Sequence, residues 1–215
     1  AKIKVRINYL SIRIMSIADN LRLIKNSLPK YLSLVAVSKT KPITAILEAY
    51  TVGQRIFGEN KALELAEKAE KLPTDIQWHM IGHLQSNKVK YIAPFVSLIH
   101  GVDSIKLLQE IDKRAKQNNR IIDCLLQVHI ATENTKFGFG IKEVEKAIET
   151  SKGFKNITIT GLMAMATFTD NSNQINKEFA SISQLFKKVK TKEINTLSIG
   201  MSGDYKLAIN NGSTM

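Results

Sequence analysis

Short apolar runs alternate with amphipathic helical patterns from Tyr31 onward, and this alternation constrains the fold more than any other feature of the chain. The apolar runs are rich in Val, Ile, Leu and Met without strict polar alternation, which is typical of parallel strands buried on both faces. The predicted strands cover residues 32–37, 54–57, 76–81, 97–101, 122–130, 157–163 and 195–199. The predicted helices cover residues 43–51, 60–71, 86–92, 104–118, 142–150, 173–189 and 203–210. Such repeated β-α units predict a parallel sheet with right-handed crossovers.

Polar or glycine-bearing residues follow almost every predicted strand. They are Ser38-Lys39, Gly58-Glu59-Asn60, Gly82-His83, Asp103, Thr132-Glu133, Thr167 and Gly200-Met201-Ser202. A barrel brings all these strand ends to one face, whereas an open sheet concentrates its site at one switch point. We therefore predict an α/β fold, a single-domain TIM (β/α)8-type barrel. Seven strands are predicted, and Gly212-Ser213-Thr214-Met215 resembles the approach to an eighth strand that is missing from this sequence.

The domain is predicted to span residues 15–215. Met15 is followed by an amphipathic helical pattern in which Ser16 is the predicted N-cap and Asp19 stands at the third helical position. Residues 1–14 lack the length and cleavage site of a secretion signal. We expect them to be a non-native or disordered extension without a functional role.

The net charge of +12 suggests nucleic-acid binding, but its distribution argues against a dedicated role of that kind. Four of the cations lie in the first fourteen residues, and many others alternate with glutamates on predicted helices. Aromatic residues do not interleave with a basic stripe. No apolar run approaches the ~20 residues of a membrane span. The single cysteine, Cys124, lies in an apolar run and favours a cytoplasmic, reducing compartment.

Lys39 lies at the carboxyl end of the first predicted strand, in the segment Ser38-Lys39-Thr40-Lys41-Pro42. Desolvation and the neighbouring Lys41 would both favour a neutral amine, the form that attacks an aldehyde. Lys39 is therefore a candidate Schiff-base nucleophile. The residues alone leave open that it is a solvated strand end.

Several segments, in order and at consistent spacing, resemble the YggS/PROSC family of pyridoxal phosphate homeostasis proteins (PLPBP). They are Ala36-Val37-Ser38-Lys39-Thr40-Lys41-Pro42, Phe57-Gly58-Glu59-Asn60, Trp78-His79-Met80-Ile81-Gly82-His83-Leu84-Gln85-Ser86-Asn87-Lys88, Ile99-His100-Gly101-Val102-Asp103, Gly161-Leu162-Met163-Ala164-Met165, Leu197-Ser198-Ile199-Gly200-Met201-Ser202 and Gly212-Ser213-Thr214-Met215. The resemblance implies a barrel like the N-terminal domain of alanine racemase. It also implies that pyridoxal 5'-phosphate (PLP) is the cofactor.

By this resemblance Lys39 forms the Schiff base with PLP and Ser202 is a phosphate ligand. Ser202 and Gly203 lie at the start of the last predicted helix, where N–H groups and the helix dipole favour an anion. The alternative is that Ser202 or Asp204 only caps that helix. The family continues with a Val-Arg-Ile-Gly-Thr segment that completes the phosphate site and contacts the pyridine nitrogen, and this sequence ends before it.

Three further residues are predicted to bind the cofactor because of their positions near strand ends: Asn60, His79 and Met163. The alternatives are a loop residue for Asn60 and core packing for Met163. A zinc site formed by His79 and His83 is disfavoured because the segment between them is not helical. We predict no metal site.

Racemisation needs a base on each face of the substrate adduct. In alanine racemase the second base is a tyrosine from a further domain, and the tyrosines here are not at obvious strand ends. The resemblance therefore implies a non-catalytic PLP carrier or buffer, expected to be a monomer and to pass PLP to apoenzymes. The alternatives are a weak PLP-dependent racemase-like enzyme and a basic module that binds phosphate ligands or nucleic acid.

Overall fold

The computed structural model of the protein describes residues 16–132 and 137–215. Seven parallel strands form one sheet in chain order. The strands are β1 (Ala36–Val37), β2 (Ile56–Glu59), β3 (Gln77–Met80), β4 (Leu98–Val102), β5 (Ile122–Gln127), β6 (Ile157–Met163) and β7 (Thr196–Ser198). The helices are α1 (Ile17–Ser27), α2 (Ile43–Thr51), α3 (Ala62–Lys71), α4 (Val89–Ile92), α5 (Ile105–Gln117), α6 (Val144–Ser151), α7 (Ser172–Val189) and α8 (Tyr205–Asn210). The predicted β-α order is confirmed.

The first strand is shorter than predicted. The side-chain amide of the buried residue Gln54 donates to Leu34 O at 2.9 Å and to Ile56 O at 2.6 Å. The Gln54 side chain thus makes hydrogen bonds to the residues before β1 that a regular strand ladder would otherwise make. The fifth strand also ends earlier than predicted, and Val128 makes only an isolated bridge with Phe139.

The backbone of Thr214 links β7 to the segment that precedes β1. Its N–H donates to Leu197 O at 3.0 Å, and its carbonyl accepts from the N–H of Ser33 at 2.9 Å. Its hydroxyl accepts from the N–H of Leu197 at 2.8 Å. The residues predicted to approach an eighth strand therefore lie between β7 and β1. An eighth strand is not evident in the described part of the chain, and the seven strands curl into a half-barrel.

The strands bury different residues on their two faces. Outward-facing side chains such as Phe57 and Trp78 pack with helix residues such as Leu65 and Phe179 into the main hydrophobic core. Each such buried side chain contributes about 1.5–3 kcal/mol to folding. A smaller cluster inside the curled sheet contains Leu98, Leu125 and Met163, with Met165 and Met215 packed against it. The other side chains on the inner face are largely polar, and polar side chains can bind a ligand.

Helix α1 begins as predicted, because Ser16 accepts a hydrogen bond from the N–H of Asp19 at 3.0 Å. The prediction for residues 1–14 lies outside the described residues. Across 16–132 and 137–215, no helix combines the length and hydropathy that crossing a membrane requires.

Gly161 provides a direct test of the contact between β6 and β7. A Cβ atom at this position would lie 1.8 Å from Thr196 O, which is backbone and cannot rotate away. We expect Gly161→Ala to lower the free energy of unfolding by about 3 kcal/mol, measured by urea denaturation. The control is Gly153→Ala, whose added Cβ would meet only Thr150 O, at 3.4 Å. Equal stability of the two variants would contradict the described strand contact.

Candidate functional site

Lys39 is exposed at the carboxyl end of β1, two residues after the strand ends. Its ammonium group makes no hydrogen bond or ion pair with any residue in the described ranges. Ser38, immediately before it, is buried, and its backbone carbonyl accepts from the N–H of Lys41 at 3.0 Å. The predicted nucleophile thus has an accessible amine on a backbone that forms a tight turn.

A buried charge cluster lies directly beneath this turn. Glu59, at the end of β2, is fully buried and accepts from Ser38 Oγ at 2.6 Å and from Lys68 Nζ at 2.7 Å through the same oxygen. Lys68, on α3, also donates to the backbone carbonyl of Ser38 at 2.7 Å. Burial would lower the pKa of Lys68, but its hydrogen bonds to Glu59 and Glu64 outweigh that effect and raise the pKa. Lys68 is therefore a permanent cation.

Glu64 extends this cluster to the other side of Lys39. It accepts from Lys68 Nζ and from the backbone N–H of Thr40, each at 2.7 Å. The hydrogen bond from Lys68 holds the pKa of Glu64 below its ordinary value. Thr40 has a φ of 62°, in the left-handed region that costs a β-branched residue about 1–2 kcal/mol. The bond to Glu64 stabilises that unfavourable conformation.

Ser202 and Gly203 lie in the exposed loop between β7 and α8. Their backbone N–H groups donate to no acceptor within residues 16–132 and 137–215. Asp204 precedes α8, which begins two residues later than predicted, and its carboxylate accepts from the N–H of Met201 rather than from the helix. The proposed capping of α8 by Asp204 is therefore wrong. The loop presents free donors to solvent.

Asn60 lies where the loops after β2 and β3 touch. A Cβ atom added at Gly82 would come within 2.7 Å of Asn60 O and 2.9 Å of Asn60 Cα, so these two backbones are in direct contact. Asn60 is partly buried, and its side-chain amide has no hydrogen-bond partner in the described part of the chain. Its predicted position at the mouth of the half-barrel agrees with this geometry.

His79 lies inside the half-barrel, below the ends of the strands. Its Nδ1 is 3.0 Å from His100 Nε2, and His100 Nδ1 is 3.0 Å from Ser198 Oγ on β7. Burial lowers the pKa of His79 to about 4, and burial and the neighbouring His79 also lower the pKa of His100. Both rings are thus neutral at pH 7. His79 also lines a polar cavity of about 450 Å³ at the amino ends of the strands, beside Gln77 and Asp123.

His83 does not share a site with His79. Its Nδ1 lies 2.9 Å from Asp103 Oδ2, and its ring stacks on Phe137 with centroids 3.9 Å apart. Met163, the last residue of β6, is buried in the inner cluster against Leu98 and Leu125. Its side chain packs beneath the mouth, as in the core-packing alternative, and its contact with a cofactor stays a prediction.

Sequence reasoning missed the groups that hold the loops. Glu64 and Lys68 are four residues apart on α3, which was a detectable helix-pair signal, but nothing indicated their bonds to the first strand. The buried carboxylate of Glu178, on α7, similarly accepts from the N–H and hydroxyl of Thr167, each at 2.7 Å. These contacts join residues that are distant in sequence, so periodicity could not reveal them.

Comparison with known proteins agrees with the resemblance inferred from the motifs. Residues 12–215 match the family model for the alanine racemase N-terminal domain. A pyridoxal phosphate homeostasis protein from Vibrio alginolyticus is 39% identical over 195 residues, which cover 87% of this chain and 83% of the relative. The chain belongs to the pyridoxal phosphate homeostasis protein family.

Solved structures support the same assignment for this homeostasis-family protein. PipY of Synechococcus elongatus, solved without PLP, is 32% identical with a TM-score of 0.87 over 92% of this chain and 95% of PipY. PipY with PLP bound has a TM-score of 0.82 over the same shares. Alanine racemase from Bartonella henselae is 17% identical with a TM-score of 0.70 and shares the fold over 89% of this chain and 54% of the racemase.

The buried histidine pair makes the stability of this family member sensitive to pH. The pKa of His79 is about 4 when folded and 6.5 in its ordinary environment, so the unfolded chain binds the proton more readily between these values. The contribution of the neutral His79 ring to the free energy of unfolding is fully present above pH 6.5 and is lost as the pH falls. We expect the free energy of unfolding to decrease by about 2 kcal/mol between pH 7 and pH 5, measured by urea denaturation.

The matched comparison uses two glutamine variants. His79→Gln and His100→Gln should each reduce this pH dependence, because each removes one buried neutral ring. A wild-type free energy of unfolding that is constant from pH 7 to pH 5 would contradict a buried neutral pair.

Proposed function

We propose that this protein binds PLP covalently and reversibly through Lys39 and acts in intracellular PLP homeostasis as a carrier or buffer, not as an efficient enzyme. The observation that carries the proposal is the accessible Lys39 amine at the mouth of the sheet. Neither this amine nor the N–H groups of Ser202 and Gly203 at the same mouth have a partner among residues 16–132 and 137–215. Family membership supports it, because PipY has been solved with PLP bound and the curated relatives are named for PLP homeostasis.

The residues present fit a ligand that carries an aldehyde and a phosphate. When bound, PLP supplies an aldehyde that condenses with a primary amine, forming a C=N bond and releasing one water molecule. Lys39 supplies the amine. Ser202 Oγ and the N–H groups of Ser202 and Gly203 would hold the phosphate, because loop donors that lack internal acceptors suit an anion. Asn60 offers a free amide near the ring.

His79 and Met163 would support the bound cofactor from below. His79 is held by His100, and Met163 is packed in the inner cluster, so both form a fixed floor beneath the mouth. A neutral His79 also adds no charge repulsion to the Lys39 ammonium group. We therefore keep both residues in the proposed binding site, as the layer below the ring.

A carrier function is favoured over racemisation because racemisation needs a second base on the opposite face of the adduct. The relatives at 36% and 39% identity are named for pyridoxal phosphate homeostasis rather than for racemisation. A weak racemase-like activity is the alternative. Incubation with L-alanine and PLP followed by chiral analysis distinguishes them, since the carrier should leave the amino acid as the L-enantiomer.

We further propose that the protein works as a monomer in the cytoplasm and passes PLP to PLP-dependent apoenzymes. The single thiol, Cys124, is buried with its pKa raised by burial, which suits a reducing compartment in which no disulfide is needed. Reversible bonding through an accessible amine suits transfer, because the same condensation run backwards releases intact PLP.

Replacement of Lys39 tests the proposed covalent bond. We expect the wild type and Lys41→Ala to develop a visible absorbance band with PLP. Borohydride reduction of the C=N bond should remove this band and leave the pyridoxyl group permanently attached. Lys39→Ala should develop no such band, because the attacking amine is gone. Equal bands in Lys39→Ala and wild type would overturn the proposal, and unchanged unfolding curves would verify that the variants are folded.

Replacement of Ser202 tests phosphate binding separately from formation of the covalent bond. We expect Ser202→Ala to weaken PLP binding about tenfold, since a hydrogen bond to a charged group contributes about 1.5–3 kcal/mol. Binding of pyridoxal, which has the aldehyde but no phosphate, should be unchanged. Equal weakening for both compounds in equilibrium titrations would show that Ser202 does not act on the phosphate.

A further inference from the structure

The two residues on either side of the proposed nucleophile, Ser38 and Thr40, are bonded at their backbone to one charge cluster. The cluster consists of Glu59, Glu64 and Lys68. Lys68 Nζ bonds the carbonyl of Ser38 at 2.7 Å, and Glu64 bonds the N–H of Thr40 at 2.7 Å. These contacts lie on both sides of Lys39, whose own side chain they leave untouched.

The cluster is more strongly built than an ordinary surface pair. The Lys68 and Glu59 side chains are 9% and 0% exposed, and their charged atoms lie 2.7 Å apart. On the same helix, Lys71 and Glu67 form an equivalent pair at 2.7 Å, but their side chains are 51% and 67% exposed. Only the buried pair reaches the end of β1. Helix α3 therefore contributes Lys68 to the buried pair with Glu59 of β2, and it also carries the exposed Lys71–Glu67 pair, which serves as a matched control.

The backbone of this turn would not keep its shape unaided. Thr40 adopts a φ of 62°, which a β-branched residue rarely occupies. Strained backbone persists only when surrounding contacts over-determine it, and such strain clusters at functional sites. Without the cluster, the turn could relax and the Lys39 amine would sample a wider volume.

We propose that Lys68, with Glu59 and Glu64, is a positioning unit that fixes the backbone on both sides of Lys39 and so directs its amine toward the aldehyde. This inference rests on the proposed function. Lys68 itself does not contact the cofactor. Its effect is on geometry, because a reacting amine held in place reacts faster than one that must first be ordered.

PLP binding has two steps, the initial association and the formation of the covalent bond. Measuring them separately distinguishes a positioning role of Lys68 from a purely structural one. Stopped-flow absorbance over a range of PLP concentrations gives the limiting rate of covalent bonding and the concentration for half-maximal rate. The variants are Lys68→Met, Glu64→Ala and the control Lys71→Met, each studied well below its unfolding temperature. Glu64→Ala removes the anchor of Thr40 and one of the bonds of Lys68 but keeps the buried Lys68–Glu59 pair, so it serves if Lys68→Met does not fold.

We expect the limiting rate to fall about tenfold in Lys68→Met and severalfold in Glu64→Ala, since misplacement of a reacting group costs rate. The half-maximal concentration should stay near the wild-type value, because the phosphate loop is unchanged. Lys71→Met should match the wild type in both. Wild-type limiting rates in folded Lys68→Met or Glu64→Ala would overturn the inference, as would an equal decrease in Lys71→Met.

A second readout does not use PLP. Trace labelling of the free protein with acetic anhydride, mapped by mass spectrometry, gives the reactivity of Lys39 relative to Lys41. The ratio should change severalfold in Lys68→Met and remain constant in Lys71→Met; an unchanged ratio in Lys68→Met would count against positioning. If wild-type Lys39 formed no adduct with PLP, the proposed function would fail, while this ratio would still report on the turn.

Discussion

Parallel pairing of all seven strands is the constraint on which the rest of the structure depends. It brings every strand's carboxyl end to one side of the half-barrel, so residues from distant parts of the sequence meet there. Lys39 follows the first strand and Ser202 follows the seventh, and the curl of the sheet turns these two ends toward one another. The bonds of Thr214 to Leu197 and Ser33 hold the two edges together. The proposed site would thereby combine an amine and an anion-binding loop from distant parts of the sequence.

The polar groups of the fold are divided between two layers. Between the sheet and the helices, the Lys68–Glu59 pair stabilises the end of β1, and removal of one partner would leave a buried charge, which typically costs about 3–5 kcal/mol. Inside the sheet, His79, His100 and Ser198 satisfy one another through hydrogen bonds. Both arrangements leave the Lys39 amine without a partner in the described part of the chain. The protein thus uses its buried polar contacts to hold the loops and keeps its reactive group free.

Sequence patterns predicted the order and type of the elements because hydrophobic periodicity and strand-end residues are local signals. They placed Lys39, Ser202 and Asn60 after the ends of strands, and the contacts of these residues with a cofactor stay a prediction. They did not give the depth of His79 and Met163, because the pattern does not specify the depth of a side chain along the barrel axis. Their neighbours His100 and Leu125 belong to other strands, and the register of strand pairing sets that depth. The role of Lys68 was likewise hidden, since its partners Ser38 and Glu59 lie 30 and 9 residues away.

The central claim is that one amine at the end of β1 forms the bond to the cofactor. Mass spectrometry of protein treated with PLP, reduced with borohydride and digested tests it most directly. The account predicts a single reduced pyridoxyl group on the peptide that contains Lys39, and fragmentation that assigns it to that residue. A pyridoxyl group found mainly on another lysine, or spread evenly over the surface lysines, would contradict the account.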